Sequence, residues 1–139
     1  MLTALLLLLA AAADHGCRQV DEFGAVVCPA HLPTVRRLRV DEVGKGTRWA
    51  DYDPPCDRFR PSAADLRRFM RRAGRTDKSS VHYALSESPC YASGRIAFSD
   101  GRKGSYWITR ASLLYLTIGR GPEIILYCHD CEFGGLEPG

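Results

Sequence analysis

The 139-residue sequence contains no asparagine and only three lysines, Lys45, Lys78 and Lys103. Without asparagine there is no acceptor for N-linked glycosylation. It has no apolar run approaching the about 20 residues that a membrane-spanning helix needs. The longest is the twelve residues from Leu2 to Ala13, apolar except for Thr3. The chain lacks G-x-S-x-G and H-E-x-x-H, and G-K-G-T at Gly44 to Thr47 is too short for a phosphate loop. His15, His31, His82 and His129 are scattered, so no triad can be assembled around them. A large excess of one charge is also missing: the net charge is +3, too mild to demand a nucleic-acid partner.

What is present begins with that apolar run. It fits the hydrophobic region of a secretory signal peptide, although no Lys or Arg precedes it. Ala11, Ala12 and Ala13 supply small residues for cleavage, which divides the chain into a signal peptide (1–13) and one exported domain (14–139) with no transmembrane span. Asp14, three residues ahead of Cys17, suits a lipoprotein signal poorly, so no lipid anchor is expected. Scarce lysine and absent asparagine read as a GC-rich bacterial coding sequence. The expected location is therefore periplasmic or secreted.

All six cysteines, Cys17, Cys28, Cys56, Cys90, Cys128 and Cys131, follow the expected cut. An even count in a small exported domain points to disulfides, and six cysteines allow fifteen pairings that sequence alone does not resolve. Two pairings are favoured by position. Gly24 lies between short apolar stretches, so Cys17–Cys28 would close a small N-terminal hairpin over residues 17–28. Cys56 precedes the clearest helix and Cys90 precedes the clearest strand, so a bridge between them would tie one to the other.

That helix is expected over 63–73. Ser62 is its N-cap, Asp65 completes a capping box, and Gly74 is the expected stop. Leu66, Phe69, Met70 and Ala73 form one apolar stripe at i, i+3, i+4 and i+7. Val35 to Val43 is a possible strand, although Arg36 and Arg37 break its alternation. Residues 91–128 alternate through four short strands joined by tight turns, among them S-D-G-R at 99–102 and G-R-G at 119–121. The predicted fold class is α+β: an antiparallel four-stranded meander covered by one amphipathic helix, with the small disulfide hairpin at the N-terminus.

The run C-D-R-F-R-P-S-A-A-D-L-R-R-F-M-R-R-A, then S-E-S-P-C, S-D-G-R-K-G-S-Y-W-I and L-Y-C-H-D-C resembles a group of small exported proteobacterial proteins with a C-terminal L-Y-C-x-x-C motif and no assigned activity. The resemblance covers roughly Cys56 to Cys131. Its motifs are structural; it supports the domain's extent and implies no chemistry.

Three features could carry function. C-H-D-C, Cys128 to Cys131, has the spacing of a redox pair, and His129 could depress a thiol pKa. However, two glycines and a proline follow, leaving no helix to stabilise a thiolate. Metal binding by Cys128, His129 and Cys131 would need a second ligand pair, which is absent. A structural disulfide is the expected reading, with no metal and no cofactor. D-Y-D-P-P-C-D offers Asp51, Asp53 and Asp57, but Pro54 and Pro55 break the calcium-loop pattern, leaving a turn. The strongest electrostatic feature is Arg67, Arg68, Arg71 and Arg72 on the polar side of the helix, either a solvated face or a contact for an acidic envelope protein. The function expected is a non-catalytic exported binding, accessory, inhibitor or immunity-like protein. The alternative is a thiol–disulfide redox or metal-binding protein using C-H-D-C.

Overall fold

The computed structural model describes residues 16–46, 55–131 and 133. The expected signal peptide, with Asp51 and Asp53, lies outside them. The fold is α+β, with three disulfides: Cys17–Cys28, Cys56–Cys90 and Cys128–Cys131.

The meander is built as its alternation dictates. Strands β5 (Tyr91–Phe98), β6 (Lys103–Thr109), β7 (Leu113–Ile118) and β8 (Ile124–Tyr127) pair antiparallel in sequence order. Gly101 at φ 89°, Ser112 at φ 63° and Gly119 at φ 57° supply the left-handed residues that their three turns require. Ile96, Phe98, Ile108, Leu114, Leu116 and Leu126 share the inner face and are all buried. Helix α1 (Ala63–Arg72) lays Leu66 and Phe69 on that face. Its capping box is complete: Ser62 Oγ accepts from the Asp65 amide, and Asp65 accepts from the Ser62 amide.

The sheet has six strands rather than four. Strand β3 (Val35–Lys45) joins at one edge beside β5, and β4 (Gly74–Thr76) joins at the other beside β8. The double arginine that interrupts the alternation of β3 coincides with a register shift between Val35 and Arg37. An extra residue in a bulge keeps the flanking side chains on their proper faces. β4 is too short for periodicity to reveal. A second helix, α2 (Lys78–Tyr83), also departs from the one-helix expectation. Asp77 caps it, and it places Val81 against Leu113 and Ile125 on the outer face.

The chain between β3 and β5 therefore wraps the sheet. It leaves one edge, crosses the inner face as α1, adds β4 at the far edge and returns on the outer face through α2. Cys56–Cys90 joins the two ends of this excursion. Gly74 does not end α1 in a left-handed conformation; Ala73 is the cap, with extended ψ of 143°. Gly74 starts β4, where a Cβ would lie 2.7 Å from the Cys28 carbonyl oxygen.

The reason for that close approach is the N-terminal hairpin, β1 (Arg18–Gln19) and β2 (Val26–Val27), which docks on β4. Cys28 and Arg75 exchange both backbone hydrogen bonds, at 2.8 and 2.6 Å. Thr76 Oγ1 donates to the Val26 carbonyl at 2.8 Å, and the Val26 amide donates to Ser80 Oγ at 3.1 Å.

Candidate sheet-face site

Cross-strand pairing fixes which side chains share the outer face. Arg37, Ala97 and Lys103 form one row, and Arg39, Arg95 and Ser105 the next, with Thr117 continuing it. A third row runs Glu42, Ser93, Trp107, Tyr115 and Ile125. α2 covers the Ile125 end. The other end, across β3, β5 and β6, lies open as a shallow cleft of 190 Å³ lined by Arg37, Arg39, Arg95 and Lys103 around Ala97. Ala97 is the small floor that lets four long cationic side chains stand around one depression.

Arg39 faces Arg95 directly, a like-charge cross-strand pair that costs stability unless compensated. Asp41 supplies the compensation, accepting from Arg95 Nε at 3.0 Å and Nη2 at 3.3 Å. The Arg95 hydrogen bond, helped by the charges of Arg95 and Arg39, holds the Asp41 carboxyl below its ordinary range against the opposing effect of desolvation. Glu42 is engaged by Lys45 and by the Ser93 hydroxyl. Among the described residues, Asp41 is thus the one carboxylate paired within a cluster of four cations. Beside it, Trp107 is 40% exposed and stacks on Tyr115, centroids 3.9 Å apart and planes within 6°. Ser93 and Tyr115 are the two cross-strand neighbours of Trp107, so the indole face that Tyr115 leaves uncovered lies on the Ser93 side.

The inner face locks this arrangement from below. Tyr106 is buried and donates its hydroxyl to the Arg39 carbonyl at 2.7 Å. Burial, then the Asp41 charge, pushes its pKa above the ordinary value of 10.0. The phenol passes over Gly94, where a Cβ would overlap the Arg39 carbonyl oxygen and lie 2.5 Å from the Tyr106 hydroxyl. Glycine is required there so that Tyr106 can hold the backbone of Arg39.

The residues singled out by sequence are dispersed. Arg68 pairs with Asp65 at 3.2 Å. Arg67 and Arg71 line a groove beside residues 30–35. Arg72 lines a different cleft of 260 Å³ with Arg18, Tyr127 and His129. The four helix arginines thus serve three separate surroundings. Cys128 and Cys131 are bonded to each other; Cys128 is buried, Cys131 is half-buried, and both pack against the main core. The Cys128 amide donates to the Ser112 carbonyl, so this disulfide turn closes β8 onto the β6–β7 turn. His129 is exposed, with Nδ1 3.3 Å from the Tyr127 hydroxyl. Among the described residues, no group of three His, Cys, Asp or Glu side chains converges as a metal site would require. Asp57 sits in a short 3-10 helix (Cys56–Arg58), its carbonyl accepting from Arg60 Nε.

The sheet-face cluster is not apparent from the sequence, where Arg36 and Arg37 read only as a break in the alternation of a strand and Arg39 carries no signal of its own. The signal lies in V-R-R-L-R-V, where Arg37 and Arg39 flank the buried Leu38. No family model, curated protein or solved structure matches the chain.

Proposed function

We propose that this is an exported, non-catalytic binding protein whose open sheet face receives an acidic protein surface of the cell envelope. The observation that carries this reading is the cluster of Arg37, Arg39, Arg95 and Lys103 with Asp41 as its paired carboxylate. An unbalanced cationic patch attracts an anionic surface and speeds encounter with it. The adjoining Trp107 ring offers the partly exposed aromatic contact that interface centres favour. Export is supported by the three disulfides, which persist in oxidising compartments. No helix among the described residues is long and apolar enough to cross a membrane. Thiol exchange through C-H-D-C has less support, since Cys128 is buried and the motif forms a closing turn.

The test uses poly-glutamate as the acidic probe, with binding followed by backbone NMR shifts. Saturable shifts across β3, β5 and β6 are expected, weakening as salt is raised. They should be lost in Arg37→Gln/Lys103→Gln and retained in Arg68→Gln/Arg72→Gln. Shifts confined to α1, or unchanged by the sheet-face substitutions, would remove the reading.

A further inference from the structure

The core is unevenly sealed. Among the apolar side chains that pack on the main core yet remain only partly buried are Ala30, Leu32, Val35, Met70 and Ala73. These five line a single groove of about 480 Å³ between the chain leading into β3 and the C-terminal half of α1. A groove of this size falls within the roughly 300–1,000 Å³ of pockets that take small molecules.

Its rim is cationic. Arg67 and Arg71, one helical turn apart, line the groove together with His31. Neither arginine has an ion-pair partner among the described residues. His31 holds a left-handed backbone, φ 52°, a conformation uncommon for a non-glycine residue and one that concentrates at ligand-binding sites. An apolar floor with charged donors on one rim is complementary to a ligand with an apolar chain and an anionic head. Paired guanidinium groups favour a planar carboxylate, which accepts two parallel N–H bonds.

We propose that this groove is a binding site for an amphipathic carboxylate, with the chain over Leu32, Met70 and Ala73 and the carboxylate at Arg67 and Arg71. The site lies on the inner-face side of the sheet and is independent of the acidic-partner surface. It also gives two of the four helix arginines a role that a solvated face does not.

Met70 is the one methionine among the described residues, so its methyl resonance reports on the groove floor. Decanoate titrated into the intact protein is expected to shift that methyl saturably, whereas acetate should not, because it lacks the chain. Decanol should bind roughly tenfold more weakly than decanoate, the size of one charge-assisted contact. These comparisons use the unmodified protein and do not depend on a variant folding. Arg67→Gln/Arg71→Gln should weaken decanoate by tenfold or more while leaving decanol unchanged. Equal affinity for decanoate and decanol, no saturable Met70 shift, or a double variant that binds decanoate as well as the wild type would each overturn the proposal.

Discussion

Replacing Cys56 and Cys90 together by alanine tests what holds the wrapped excursion in place. The two residues are 34 apart in sequence, and the segment they close contains α1, β4 and α2. In the chain-entropy account, releasing a loop of that length costs about 3.8 kcal/mol at 25 °C. Cys90 is fully buried, so deleting its sulfur adds a cavity contribution of about 1 kcal/mol. For a domain of this size each kcal/mol lowers Tm by roughly 4 °C. The expected loss is therefore roughly 15–20 °C, measured by circular dichroism melting under non-reducing conditions. The same account gives roughly 3 kcal/mol for Cys17–Cys28, separated by 11, and roughly 2 kcal/mol for Cys128–Cys131, separated by 3. The three double alanine variants should rank in that order. A Cys56/Cys90 variant that loses less than about 1 kcal/mol, or that falls below the other two, refutes the idea that this bridge anchors the excursion.

Two further outcomes follow from the Tyr106–Gly94 contact. Gly94→Ala should lose about 2–4 kcal/mol in urea unfolding, since a Cβ there collides with backbone and displaces the Tyr106 hydroxyl; Tyr106→Phe should lose only about 1–2 kcal/mol, and equal losses would show that the glycine is not required by the phenol. Because the Tyr106 pKa is raised in the folded state, its neutral form carries stability that is full below about pH 10 and declines as pH climbs beyond it; unfolding followed from neutral to alkaline pH should show this decline, reduced in Tyr106→Phe, and identical profiles would contradict it.

Much of the fold was legible because its elements carry strong local patterns. The capping box and apolar stripe placed α1 within a residue of its observed bounds, and alternation divided 91–128 into four strands, the first at its observed ends. What escaped lacks local signal. β4 has three residues, and its strand state comes from pairing with β8 some fifty positions away. α2 buries Val81 as its one large apolar side chain and leaves Tyr83 78% exposed, so no stripe marks it. The charged cluster is harder still to read, because Arg37, Arg39, Arg95 and Lys103 become neighbours only through register across three strands. By contrast the helix arginines, adjacent in sequence, look like one surface and are divided among three.

β8 is the hinge of the topology in time as well as in space. It lies between β7 and β4, so β4 and the N-terminal hairpin it carries have no link to the rest of the sheet until residues 124–127 have been made. A growing chain that has completed α1, β4 and α2 therefore still cannot close its sheet, and pairings of such long sequence separation form slowly. Four strands, β3, β5, β6 and β7, can pair before β8 exists, but the sixth strand and the disulfide hairpin docked on it join them only through residues 124–127.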